Sequence, residues 1–151
     1  MGLTRRDVVV GLLAMPSALH AVAMANDDQN VLGPTVFSWN DMKPEETATG
    51  EVRHLCKSQT ATVDQLEMHV TTLNPGQSPH PPHRHVNEEL IIIREGDCET
   101  LSNGYWVKVG PGSVVFNASN SLHGFRNVGT IPAVYHVINW SPNKDVANKK
   151  P

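Results

Sequence analysis

Short segments in which apolar and polar residues alternate recur along this chain. In residues 65–73, for example, Leu66 and Met68 alternate with Glu67 and His69, so that a strand here would have one apolar and one polar face. Glycine and proline separate such segments, and no long run shows the 3.6-residue period of a helix. The pattern therefore predicts an all-β protein.

The predicted strands are Glu51 to Leu55, residues 65–73, a strand that begins after Pro82 and ends at Gly96, Cys98 to Leu101, Tyr105 to Val109, Val114 to Phe116 and Ala133 to Trp140. Asp41 to Gly50 is predicted to be a loop. Asn103 and Gly104 stand between two of these runs, the dipeptide that best suits a type I′ hairpin turn. Several short strands joined by tight turns indicate a sandwich or a barrel.

The first 25 residues are predicted to be a signal peptide that is cleaved near residues 23 to 25. A basic start precedes a short apolar stretch that is interrupted by Gly11 and Pro16, and small residues follow. The stretch is too short for a membrane span, so no stable membrane anchor is expected. Arg5 and Arg6 make the segment similar to a twin-arginine signal, with an ordinary secretory signal as the alternative. Either one predicts a periplasmic or secreted protein.

Cleavage would leave roughly 126 to 128 residues, enough for one domain. It would remove Arg5, Arg6 and Asp7 and take the net charge from -3 to -4, which gives no reason to expect a nucleic-acid partner. Cys56 and Cys98 could form one disulfide or remain two separate thiols.

The residues with the clearest chemical meaning are His83, His85, Glu89 and His123. The first three occupy odd positions, so they can share one face of a strand that runs through without a bulge, and His123 would join them from a neighbouring strand. Imidazole and carboxylate together suit a divalent metal ion such as Fe, Mn, Zn or Ni. We therefore predict one metal ion per chain.

Two stretches around these residues resemble the two signatures of the cupin family. GQSPHPPHRHVNEELIIIREG contains Gly76, the His-x-His pair, Glu89 and Gly96, with one extra residue between Gly76 and His83. GSVVFNASNSLHGFRN contains Gly112, His123 and Asn127 in register, whereas Ala118 and Asn120 replace the usual proline and glycine. Asn tolerates the left-handed backbone that glycine would supply, so the turn can form.

The resemblance implies a single jelly-roll β-barrel over residues 51–141 that holds the metal ion inside. Residues 26–50 would form an N-terminal segment, and residues 142–151 a loose tail. Four ligands would leave two positions of an octahedral ion open for a substrate or oxygen.

Strand parity predicts the residues that line the pocket. Asn87, Ile91 and Ile93 share the odd-numbered face, and Phe125 shares the side of His123. Arg84, Arg94 and Arg126 have the opposite parity, so the pocket should be mostly apolar and without a cation.

Glu67 and His69 are the candidates for a general base or for partners of the metal ligands, although a polar strand face is often simply solvated. Tyr135 and His136 are weaker candidates, since only one of them can point inward. His80 is not expected to take part, because Pro81 and Pro82 separate it from the strand.

Two classes of function fit these features. The first is a metalloenzyme that acts on a small, partly apolar organic molecule, as a dioxygenase, isomerase, decarboxylase or lyase. The second is a non-catalytic periplasmic protein that binds a small ligand. A homodimer is also expected, because Leu90 and Ile92 would form an apolar face that points away from the metal.

Overall fold

The computed structural model describes residues 31–142. The predicted signal peptide, the first residues after it and nearly all of the predicted C-terminal tail lie outside the described residues. A short 3-10 helix, Trp39–Asp41, precedes nine strands: β1 (Glu45–Thr47), β2 (Gly50–Ser58), β3 (Val63–Leu73), β4 (Glu88–Glu95), β5 (Cys98–Ser102), β6 (Tyr105–Val109), β7 (Val114–Asn117), β8 (Gly124–Asn127) and β9 (Ala133–Pro142). The all-β prediction is confirmed. No helix among residues 31–142 has the length and apolarity needed to span a membrane.

The strands form two sheets that face each other. A six-stranded sheet has the order β1-β2-β3-β9-β4-β7, and a three-stranded sheet has the order β6-β5-β8. All neighbouring strands in the two sheets are antiparallel. Phe125 of β8 contacts Tyr135 of β9, with ring centroids 4.5 Å apart, so aromatic packing joins the two sheets.

The loop predicted for Asp41 to Gly50 is wrong in part, because it contains β1 and the turn that connects β1 to β2. Glu45 pairs with Val52 and Thr47 with Gly50, so this hairpin adds an edge strand to the larger sheet. The residues of β1 are polar and exposed, which gives no apolar alternation to reveal the strand in the sequence.

The predicted turns have the expected backbone. Asn103 and Gly104 have φ values of 51° and 84°, as a type I′ turn requires. Asn120, which replaces a glycine of the second signature, has a φ of 59° and so adopts the left-handed conformation.

The register of the larger sheet sorts its residues into an inner and an outer face. The inner face carries the rows Glu67–Asn139–Glu89–Asn117, His69–Val137–Ile91–Val115 and Thr71–Tyr135–Ile93. Ile91, Ile93, Tyr135 and Val137 are buried in the core between the sheets. The polar row therefore lies beside the apolar core, on the same face.

The outer face of the same sheet is mostly apolar in its central rows. Its rows are Met68–Ile138–Leu90–Phe116 and Val70–His136–Ile92–Val114. Trp39 stacks on Arg53 of β2 and Arg94 of β4, at 4.7 Å and 4.9 Å. Strands β3 and β9 lie between β2 and β4, so Trp39 packs across both of them on this face. Val70 of β3 is accordingly only 1% exposed. Phe116, farther along the face, is 54% exposed.

The two cysteines are free thiols in different sheets. Cys98 is buried in the core, and Cys56 pairs with Met68 on the outer side. Burial raises the pKa of Cys98 to about 11, so this thiol is neutral at physiological pH.

Candidate metal centre

His83 and His85 do not lie on a strand, contrary to the sequence-based prediction. The strand that carries Glu89 begins only at Glu88, and both histidines precede it in the connection from β3. His83 forms an isolated bridge with His123, in which each backbone N–H donates to the other's carbonyl, at 3.0 Å and 3.1 Å. Backbone pairing, rather than strand parity, therefore brings His83 next to His123.

The four predicted ligands nevertheless converge. The candidate ligand atoms of His83, His85 and His123 all lie within 4.8 Å of one another. Glu89 completes the set, with its two carboxylate oxygens 3.8 Å from His85 Nε2 and 3.9 Å from His123 Nε2. Ligand atoms that share a divalent ion at about 2.0–2.2 Å lie roughly 3 to 4 Å apart, so this spacing suits such an ion.

The hydrogen bonds of the histidine rings leave nitrogen lone pairs for a metal ion. His85 Nδ1 lies 2.9 Å from the Asn87 carbonyl oxygen, and His123 Nδ1 lies 2.9 Å from that of Ser121. A carbonyl oxygen can only accept, so each Nδ1 carries the proton and each Nε2 keeps a lone pair that could bind a metal ion.

Two buried histidine nitrogen atoms are the strongest sign that this cluster suits a cation. His123 Nε2 and His83 Nδ1 are both buried, and neither has a hydrogen-bond partner among the described residues. Such groups are costly to bury unless something satisfies them. A bound cation would do so, and the donor set fits one.

Burial lowers the pKa of His83, and the neighbouring His80, His123 and His85 lower it further, against the opposing effect of Glu89. The neutral imidazole is the form that binds metal, so these surroundings favour the ligand form.

Two asparagines that the sequence analysis did not select support this cluster. Asn117, which is 4% exposed, donates from Nδ2 to Glu89 Oε1 at 2.9 Å. Asn139, between Glu67 and Glu89 in the sheet, accepts a 2.9 Å hydrogen bond from Asn87. Asn117 could have been noticed only as a polar residue at an inward strand position, because its partner is 28 residues away in sequence.

Glu67 and His69 point to the inner face, in the rows that contain Glu89 and Ile91. Glu67 Oε1 lies 2.8 Å from His69 Nδ1, and both side chains are mostly buried. Glu67 and Glu89 flank Asn139, so two strand spacings, or about 10 Å, separate their backbones. This carboxylate–imidazole pair therefore faces the same interior as the three-histidine cluster.

His54 extends this polar line towards the surface. It is opposite His69 in the β2–β3 pairing, with ring centroids 6.2 Å apart, and its Nε2 lies 3.8 Å from Glu45 Oε2. His54 and Glu45 line an open cavity of about 410 Å³ beneath the N-terminal segment, away from the three-histidine cluster.

Among the predicted pocket residues, Ile91, Ile93 and Phe125 belong to the buried core, and Asn87 is half-buried beside His85. Tyr135 also points inward and is 2% exposed, whereas His136 lies on the outer face. The arginines point outward as expected: Arg94 contacts Trp39, Arg126 pairs with Glu99 over the Trp106 ring, and Arg84 donates to the Asn120 carbonyl.

His80 lies against the three-histidine cluster, although the sequence analysis set it aside. Its ring meets that of His83 edge-on, with centroids 4.2 Å apart. Pro81 and Pro82 separate His80 from the strand in sequence, but the chain turns back and places the two rings together.

Residues 69–139 match the family model described as "Cupin domain" (Cupin_2). Protein SchB of Streptomyces halstedii is 24% identical over 115 residues, which cover 75% of this chain and 83% of that protein.

Among solved structures, an RmlC-like cupin from Shewanella frigidimarina superimposes with a TM-score of 0.60 at 14% identity, over 76% of this chain and 96% of that one. The polyketide cyclase RemF from Streptomyces resistomycificus gives 0.56 at 20% identity, over 72% and 80%. These similarities confirm the predicted cupin barrel.

Proposed function

We propose that this cupin-fold protein is an exported metalloenzyme that acts on a small, partly apolar organic molecule. The observation that carries the proposal is the convergence of three imidazoles and one carboxylate around buried nitrogen atoms that have no hydrogen-bond partner among residues 31–142. The metal ligands would be His83, His85, Glu89 and His123. A divalent ion held there would act as a Lewis acid that orients and polarises a substrate.

The residues around these ligands hold them in place. The carbonyl groups of Asn87 and Ser121 fix the ring orientation of His85 and His123, and the Asn117 amide fixes the Glu89 carboxylate. Such contacts keep ligands in one rotamer and one tautomer, which lowers the entropy lost on binding an ion.

We propose His69 as the general base, oriented by Glu67. The Glu67 carboxylate accepts a hydrogen bond from Nδ1–H, so the proton stays on Nδ1 and the Nε2 lone pair is free to take a proton from a substrate. The negative charge of Glu67 would then stabilise the imidazolium that forms. His69 pairs with Val137, which in turn pairs with Ile91, so a substrate in reach of this base would also contact apolar side chains.

The charges around the barrel favour a substrate without a strong negative charge. Arg84, Arg94 and Arg126 all make their contacts outside, and the inner rows contain Glu67 and Glu89. Apart from a bound metal ion, a phosphate or a dicarboxylate would therefore find no arginine of residues 31–142 on this face to bind it. Dioxygenase, isomerase, lyase and decarboxylase reactions of neutral molecules stay within this class, and the matched polyketide cyclase is an enzyme with the same fold.

Metal analysis of protein purified from its native compartment, followed by an oxygen-uptake assay, tests the proposal. Iron with oxygen consumption would indicate a dioxygenase, whereas zinc, nickel or manganese without it would indicate an isomerase, lyase or decarboxylase. The double variant His83→Ala/His123→Ala should lose the metal, and His136→Ala, on the outer face, should retain it. Retention of one equivalent of metal in the double variant would refute the site.

We also propose that export uses the twin-arginine route, since Arg5 and Arg6 precede the apolar stretch. The barrel could then fold and take up its ion in the cytoplasm before crossing the membrane. A reporter fused to residues 1–25 should stop being exported when both arginines are changed to lysine. Continued export would contradict this route.

We propose further that the outer face of the six-stranded sheet forms a homodimer. Met68, Ile138, Leu90 and Phe116 make a continuous apolar row across four strands. Phe116 and Val114 are 54% and 60% exposed, and an apolar row without charge can pair with its own two-fold copy. Phe116→Lys should convert a dimer into a monomer in light scattering, and a wild-type monomer would refute this assembly.

A further inference from the structure

We infer that His80 and His83 form a capture site through which a divalent metal ion reaches the inner ligands. This inference rests on the proposed metal centre and adds to it a route of loading. His80 would bind a hydrated ion at the surface and pass it to His83. His83 is therefore shared by the capture site and the three-histidine cluster.

The histidine rings form a continuous series from solvent to interior. His80 is exposed, His83 and His85 are half-buried, and His123 is 3% exposed. The ring centroids are 4.2 Å apart for His80 and His83, and 4.5 Å apart for His83 and His123. An ion could thus exchange one imidazole ligand for the next while it stays bound to at least one histidine. It would not have to regain its full hydration shell between successive ligand exchanges.

The lone pairs needed for this transfer are present. His80 Nδ1 lies 3.3 Å from the Pro81 carbonyl oxygen, which can only accept, so His80 Nε2 is left as a ligand atom. His83 Nδ1 is buried and has no hydrogen-bond partner within residues 31–142.

The backbone holds the pair in place before any ion arrives. Pro81 and Pro82 are the two residues between the histidines, and the ring of each proline fixes its backbone φ angle. Pro82 also packs against Gly124, where an added Cβ would lie 3.2 Å from the proline Cγ. His83 is in turn fixed by its two backbone hydrogen bonds to His123. The arrangement of His80 and His83 is therefore set by structure on both sides.

Two other roles for His80 give different kinetics. A fifth ligand would slow dissociation of the ion and tighten the equilibrium. An edge-on ring that only supports His83 would be replaceable by any aromatic side chain. A capture site instead accelerates association and dissociation by the same factor and leaves the dissociation constant unchanged, because it does not alter the final bound state.

Stopped-flow measurement of Zn²⁺ binding to metal-free full-length protein, with a chromophoric chelator as the competitor, distinguishes these roles. The variants are His80→Ala and His80→Phe, which keeps an aromatic ring without a nitrogen, with His54→Ala as the exposed-histidine control. Both His80 variants should load and release Zn²⁺ more slowly than the wild type, by the same factor in each direction, at an unchanged dissociation constant. The control should match wild type.

Wild-type loading rates in both His80 variants would overturn the capture site. So would normal rates in His80→Phe alone, which would indicate a packing role, or a weakened dissociation constant with unchanged association, which would indicate a fifth ligand. Failure of the wild-type protein to bind any divalent ion would instead refute the proposed metal centre, and the capture site with it.

Discussion

Replacement of Asn117 by leucine tests whether the metal centre depends on the residues behind its ligands. Leucine has nearly the shape of asparagine but cannot donate a hydrogen bond. Asn117 Nδ2 donates to Glu89 Oε1 at 2.9 Å, whereas His123 Nε2 lies 3.9 Å from the same oxygen, beyond hydrogen-bond distance. The variant therefore leaves a mostly buried carboxylate oxygen without its donor.

The expected effect has two parts. The metal-free protein should lose about 1.5–3 kcal/mol of stability, the usual contribution of a hydrogen bond to a charged group. Metal affinity should fall by about 10- to 100-fold, because Glu89 must be ordered when the ion binds instead of beforehand. That range corresponds to about 1.4–2.7 kcal/mol of binding free energy.

Isothermal titration of metal-free protein with Zn²⁺ and Mn²⁺ would measure the affinity, and urea unfolding would measure the stability. Val115→Ala is the matched control, because Val115 is on the same strand, is 7% exposed and belongs to the core. It should lose roughly 2 kcal/mol of stability with unchanged metal affinity. The reasoning is wrong if Asn117→Leu binds metal within about twofold of wild type, or if the control loses affinity equally.

Three further predictions concern the barrel. Burial raises the pKa of Cys98 from 9.0 to about 11, so the thiol ionises at a lower pH in the unfolded chain than in the folded protein. The free energy of unfolding should therefore fall as the pH rises between those two values. Unfolding measured across that range should show a smaller fall for Cys98→Ala than for the wild type. Asn127 is 1% exposed and donates to the Leu73 carbonyl at 2.9 Å, so Asn127→Asp would place a buried carboxylate beside a carbonyl oxygen. In urea unfolding the variant should lose about 3–5 kcal/mol of stability at pH 7 and recover part of it near pH 4. Equal stability at both pH values would contradict this prediction. Gly96→Ala, at a φ of 88° and with its Cβ only 2.8 Å from β9 backbone, should lower the melting temperature clearly, while Gly33→Ala, with open space around it, should not.

The strands of the barrel could be predicted because they depend on local properties. Alternation in β3, the Asn-Gly turn and the closing glycine at residue 96 each follow from residues that are adjacent in sequence. Exposed β1 has no such alternation, and only its pairing with β2 makes it a strand.

The four candidate ligands could be selected from the sequence, because donor chemistry and motif spacing are properties of the chain alone. Their arrangement required the folded structure: His83 and His85 come from a loop, and the bridge between His83 and His123 replaces the expected strand. It alone placed Asn117 on Glu89 and His80 on His83. Hydrogen bonds and ring contacts depend on distances in space. Sheet register and the path of a loop set those distances, and the two-residue period of a single strand determines neither the register nor the path.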